Sequence, residues 1–324
     1  MLFNTDRERS FFISETIFLD DGPFFADSTI SSILTTDEAS PYGCTGIDEN
    51  KITAIKKGFS ESLDRRANLL YKSLPIQNLK TYSLLEKRIE YISSKYAFYQ
   101  VGKERVDSTG TAAHPIGKCA LEKALFELLQ KNSLFILWYG YREGKILKTS
   151  DKDYTYLVDD TFSPVLTVLC INFKKDMFTI GLGTSTDIKE SMIIAKNENI
   201  LITNLKNFKA NNNNYFKYFK GVEQRCHLKN KIDLIEKIEV DDIRVKQHTD
   251  VLNNLPTWLY DLRAYIIPQT ISQKFNILTV KLYSSQLYLS VPRKIDLNLE
   301  KDINKFTLNL NKERLAKIPE MPML

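Results

Sequence analysis

Apolar residues fall at helical spacing in some stretches of this chain and in short β-rich runs in others. Ile52, Ile55, Phe59, Leu63 and Leu70 predict a helix that starts near Asp48 or Glu49 and ends at Leu70, with Glu61 and Asp64 off the apolar stripe. Leu79 to Ile92 reads as a second helix, and the short aromatic run Tyr96 to Gln100 as a strand. A turn at Ser108 to Gly110 leads into a long apolar helix from Ile116 to Trp138, with Pro115 near its start, where proline is tolerated. Val165 to Phe173 and Met177 to Thr184 read as strands on either side of a Lys-Lys-Asp turn, and Asp187 can cap a helix running to about Leu205. Lys229 to Glu239 reads as helix, and Asn276 to Tyr283 and Leu287 to Val291 as late strands. Hairpins interspersed with helices predict an α/β chain of the mixed α+β kind, with mixed sheets and helices.

Residues 1–42 show no clear period and are expected to be irregular, with one domain over 43–324 after the turn at Pro41 to Gly46. The chain has 324 residues, 43% hydrophobic and 26% charged, which is enough for one large or two medium domains. Forty-five basic and 40 acidic residues give a net charge of +5. That balance permits an acidic or phosphate-bearing ligand. With no dense basic stripe, nucleic acid is not expected, and Asn211 to Asn214 is read as an exposed loop. The four cysteines form no Cys-x-x-Cys, and Cys226-His227 lacks partners at ligand spacing, so zinc is not expected either. The charged N-terminus and the lack of a membrane-length apolar run predict a soluble cytoplasmic protein with no membrane association.

Candidate chemistry enters with two helical segments that repeat one pattern. Glu61, Asp64 and Arg65 place an acid, a second acid and a cation at i, i+3 and i+4; Glu127, Gln130 and Lys131 place an acid, an amide and a cation at the same offsets. Residues so spaced share a helix face. If the two helices meet, Glu61, Asp64, Glu127 and Gln130 offer four hard oxygen ligands suited to Mg²⁺, and the matched pair hints at an internal pseudo-repeat. The plainer alternative is two solvated helix faces, each with an i,i+4 ion pair worth about 0.3–0.5 kcal/mol.

The stretch Ser108-Thr-Gly-Thr-Ala-Ala-His-Pro115, the helix Ala120 to Asn132 and the following Leu-Trp-Tyr resemble the core signature of the YcaO proteins, and Glu61 to Arg65 resembles that family's earlier Glu-x-x-Glu-Arg helix. Gly181-Leu-Gly-Thr with Ala195 to Glu198 resembles a later segment. The resemblance covers about Gly43 to the C-terminus and implies a YcaO-like fold with ATP and Mg²⁺ as cofactors. It implies a cyclodehydratase: ATP activates a backbone amide of a precursor peptide, a Cys, Ser or Thr side chain attacks, and an azoline forms in ribosomal peptide (bacteriocin-type) maturation.

Carried over by position, the resemblance makes Glu61, Asp64, Glu127 and Gln130 the metal set and Arg65, Lys131, Ser108, Gly110 and Glu198 nucleotide contacts. The final Pro319-Glu-Met-Pro-Met-Leu324 is similar to a proline-rich tail that enters the active site, which would place the Leu324 carboxylate there; a frayed terminus is the alternative. Lys57, Pro115, Cys119 and Leu201 depart from the family pattern, as do Asp64 for Glu, Gln130 for Glu and Lys131 for Arg. Those departures carry a second expectation: a degenerate YcaO scaffold with weak or no ATP binding. The stretch before Gly43 is too short for a winged-helix domain with its linker, so a leader-peptide-binding partner is implied, and a flavin dehydrogenase as a further one.

Overall fold

The protein is represented by a computed structural model that describes residues 11–13, 23–30, 43–70, 77–99, 105–159, 162–174, 177–208, 221–243, 251–268 and 276–322. These residues fall into two compact units. Unit 1 is Met1–Leu128 with Asp261–Ser284, and unit 2 is Leu129–Tyr260 with Ser285–Leu324.

Unit 1 begins with a three-stranded antiparallel sheet of β1 (Phe11–Ile13), β2 (Phe24–Ile30) and β3 (Gly43–Asp48). The segment up to residue 42, expected to be irregular, thus supplies two strands: Phe24 to Thr29 pairs residue for residue with Asp48 to Gly43, and Phe24, Phe25, Thr29 and Ile30 are residue types that favour strands. Helix α1 (Lys51–Leu70) follows, as predicted. Asn50 is its N-terminal cap, its Oδ1 accepting from the Thr53 amide at 3.1 Å. Gly46 lets the helix lie on β3, because a Cβ there would stand 2.0 Å from the Ala54 carbonyl oxygen and 2.6 Å from the Gly58 nitrogen.

The second sheet of unit 1 runs β5 (Ile89–Ser93), β4 (Asn78–Ser83), β12 (Arg263–Ile267), β13 (Leu278–Tyr283), β6 (Thr111–His114). The helix expected over Leu79 to Ile92 is instead the β4–β5 hairpin. Leu79, Thr81 and Ser83 turn inward in alternation while Lys80 and Tyr82 turn out, and Lys87 takes the left-handed conformation (φ 54°) in the turn. Leu79 and Ile92 pack with Ala67 of α1, Ala97, Phe98 and Ile267. The strand expected at Tyr96 is a 3-10 turn, Ser94–Tyr96, and Gln100 lies outside the described residues.

Helix α2 (Gly117–Tyr139) begins in unit 1 and ends in unit 2. The sheet of unit 2 runs β10 (Phe178–Ser185), β9 (Leu166–Phe173), β8 (Thr155–Asp159), β7 (Lys145–Lys148), β11 (Lys237–Glu239). It is antiparallel except for the β7–β11 pair. Helix α3 (Ile188–Phe208) is capped by Asp187, whose Oδ1 accepts from Lys189 and Glu190. Its Ile188 and Ala195 pack on Val158, Leu166, Val168 and Cys170. Helix α4 (Val222–Leu234) ends before β11, so only the first part of the helix expected over Lys229 to Glu239 is helical.

The predicted strand Leu287 to Val291 is irregular and largely buried. The buried side chain of Asn132 takes the place of a neighbouring strand, donating to the Tyr288 carbonyl at 3.0 Å and accepting from the Tyr288 amide at 2.9 Å. Two short helices, α5 (Asp302–Phe306) and α6 (Lys312–Ala316), close the chain. The tail after α6 packs in unit 2: Trp138 Nε1 donates to the Pro319 carbonyl at 3.1 Å, the Lys294 amide donates to Glu320 at 2.9 Å, and Met321 is buried.

A pseudo-repeat is present, but α1 has α3 as its counterpart, not α2 as the matched acids suggested: the unit β2–β3–α1 corresponds to the unit β9–β10–α3. A Cβ at Gly183 would meet the Ser191 carbonyl at 2.0 Å and the Ala195 nitrogen at 2.4 Å. The offsets, 183 to 191 and 195, match those from 46 to 54 and 58. No helix among the described residues is long and apolar enough to cross a membrane.

Candidate functional site

Three of the predicted acids come together in unit 1. On α1, Glu61 leans to β3: its Oε2 accepts from the Thr45 amide at 2.6 Å, and its Oε1 pairs with Arg65 at 2.6 Å. Asp64 is one turn further, with its Oδ1 fully enclosed. Burial drives its carboxyl well above the ordinary carboxylate range, and the negative charges of Glu127 and Glu61 push the same way, against the pull of Lys123 and Arg65. On α2, Glu127 turns to the glycine turn, where its Oε2 accepts from the Thr111 amide at 3.2 Å.

The turn itself is tied down on several sides. Gly110 has φ +74°, which favours glycine, and a Cβ there would crowd the Leu128 side chain at 3.3 Å. Asp107 Oδ1 accepts from the Thr109 amide at 2.8 Å, and the Ser108 carbonyl accepts from the Thr111 amide at 2.9 Å. From β13, the Leu282 amide donates to the Gly110 carbonyl at 2.8 Å, while Lys281 Nζ donates to the carbonyls of Asp107 and Thr109 at 2.6 and 2.7 Å. Lys281 is 1% exposed; burial lowers its pKa to about 8, against the opposing charges of Asp107, Glu127 and Asp64.

Sequence reasoning passed over Lys281 and Asp107. The signal available was a lysine inside the apolar run Leu-Thr-Val-Lys-Leu-Tyr, alternating with Thr279 and Tyr283 on the strand face that carries Thr111 across the ladder. Among the remaining candidates, Ser108 and Gly110 build the turn. Arg65 engages Glu61 in the i,i+4 pair that the plainer reading anticipates. Gln130 and Lys131 are half-buried on the next turn of α2, already within unit 2. Glu198, half-buried on α3, holds the place in the second copy of the pseudo-repeat that Glu61 holds in the first, at 183 to 198 as against 46 to 61. Asp64 has the buried Leu201 as its counterpart there. Leu324 lies outside the described residues. Lys57 is drawn to Asp48 at 2.7 Å and the Ile47 carbonyl at 3.1 Å.

No protein-family model matches the sequence, and no curated protein does. Solved structures do match. A YcaO protein from Methanopyrus kandleri, bound with AMPPCP and Mg²⁺, aligns over 85% of this chain and 86% of its own at 12% identity, with a TM-score of 0.65. This chain has the YcaO fold. A chain of the E. coli microcin synthetase McbBCD complex covers 95% of each at 13% identity, with a TM-score of 0.72. A heterocyclase solved with substrate and cofactor matches 96% of this chain at 12% identity and a TM-score of 0.70, over 54% of its own length, so this chain spans about half of that protein.

The resemblance assigns Mg²⁺ to Glu61, Asp64, Glu127 and Gln130, and each of the first three has a local environment of its own. Among the described residues no group of three or more His, Cys, Asp and Glu side chains is arranged to hold a metal ion. Both oxygens of Glu61 and one of Glu127 accept from neighbours. Arg65, Lys123 and the buried Lys281 are the cations that answer the local negative charge.

Proposed function

We propose that this chain is a YcaO component of the maturation of ribosomally made peptides, working with a leader-peptide-binding partner on a precursor whose backbone amides become azolines. The observation that carries this reading is the approach of Asp64, with Glu61 beside it on α1, to Glu127 of α2, which holds the Thr111 amide, in a chain whose fold matches YcaO and heterocyclase structures over most of its length. ATP, when bound, supplies the phosphoryl group that turns an amide oxygen into a leaving group. The chain's part is positional: Ser108 and Gly110 shape the turn, Glu127 fixes it to α2, and Lys281 holds its carbonyls. Arg65 and Lys131 are the candidate cations for phosphate, and Glu198 is a further candidate contact. Mg²⁺ is not assigned to Glu61, Asp64 and Glu127 alone. A flavin dehydrogenase acting on the azolines is a further partner of this reading.

A second reading, a scaffold with weak or no ATP binding, is favoured by one observation: the buried Lys281 ammonium already stands near Asp64 and Glu127. Calorimetric titration of the chain with ATP, with and without Mg²⁺, separates the two. Saturable binding weakened at least tenfold by Glu127→Gln supports the enzyme, and no binding under either condition supports the scaffold.

A further inference from the structure

Lys281 is among the most enclosed charged side chains of the described residues, and the proposed function uses only its grip on two carbonyls, not its charge. It stands in the middle of β13, directly opposite Thr111 of β6. The Thr111 amide donates to the Glu127 carboxylate, so the acid of α2 sits on the residue that faces the ammonium. Two of the three ammonium N–H groups go to the Asp107 and Thr109 carbonyls at 2.6 and 2.7 Å, and the third remains for a carboxylate or phosphate oxygen. Asp64, Glu127 and Asp107 all act on the same charge. An enclosed ammonium is costly unless its surroundings return the loss, and here two carbonyls and the neighbouring acids return part of it.

We propose that Lys281 is the built-in cation beside Asp64 and Glu127: a positioning residue that locks the Asp107–Thr111 turn to β13, next to the tie that Glu127 makes from α2, and fills the electrostatic place a divalent ion would otherwise take. The inference rests on the proposed reading of these acids as the working site. Its test uses neither nucleotide nor peptide, so it can fail while the proposed function stands, and the reverse.

The experiment compares the full chain with Lys281→Met, Lys281→Arg and the double variant Lys281→Met with Glu127→Gln, by melting temperature and by Mn²⁺ titration. The wild type is expected to bind no Mn²⁺ in the acid set. Lys281→Met is expected to melt about 10 °C lower, as a buried acid set that loses its partner should. Mn²⁺ should restore much of that loss, and so should Glu127→Gln, while Lys281→Arg stays nearer the wild type than Lys281→Met. A merely structural lysine would not produce rescue by an ion or by removal of an acid. If Lys281→Met melts as the wild type does, or is destabilised with rescue by neither, the proposal is overturned. If Lys281→Met does not fold, a folded double variant supports the proposal and an unfolded one overturns it.

Discussion

Gly46 and Gly183 hold the same place in two copies of a hairpin–helix unit: each lets a helix lie against its strand, at the same two helix positions. Adding a methyl group to either drives a Cβ to 2.0 Å from a helix carbonyl oxygen. Gly46→Ala and Gly183→Ala are each expected to cost about 3 kcal/mol or more, because backbone and not a flexible side chain is in the way. Gly117→Ala is the control. Its Cβ would meet only the end of the Leu278 side chain at 3.1 Å, and its melting temperature should stay within a few degrees of the wild type.

The periodicity of the chain was enough for α1, α2, α3, β9 and β10, because each is long and its apolar spacing or β-branched content is unambiguous. It misled over Leu79 to Ile92, where a six-residue strand, a tight turn and a five-residue strand place leucines and isoleucines close to helical spacing. Leu287 to Val291 looked like a strand because its residues are buried, yet the partner is one asparagine side chain, which no local pattern announces. At the candidate site, Glu61, Asp64 and Glu127 were legible from their spacing. Lys281 was not, since its meaning depends on the β6–β13 register, a pairing between residues far apart in sequence.

The tail is expected to matter for stability. Removing residues 319–324 takes away the buried Met321 and the carbonyl that accepts from Trp138, a loss of about 3 kcal/mol. Chemical denaturation of the truncated chain checks this. An unchanged midpoint would return the tail to the status of a loose end.

Stability should fall on acidification through His227. Its Nε2 carries the proton and donates to the Trp138 carbonyl at 2.9 Å near the end of α2. Burial, with the positive charge of Lys231 adding to it, lowers its pKa from 6.5, although the Trp138 bond works the other way. A depressed folded value means that the stabilisation is present above the unfolded value of 6.5 and is lost as pH falls through the folded value. His227→Gln should therefore flatten the dependence of the denaturation midpoint between pH 7.5 and pH 5. An equal slope in wild type and variant would remove His227 from this account.

The acids gathered from α1 and α2 are proposed to position an ATP-dependent modification of a peptide backbone. The most direct measurement reconstitutes the full chain with its precursor peptide, its leader-binding partner and ATP, and follows the precursor mass. The expected result is the loss of one water per ring formed, abolished by Glu61→Gln and by Glu127→Gln in variants that still fold and still bind the partner. A complex whose dehydration of the precursor proceeds at the wild-type rate with both acids replaced would contradict the claim.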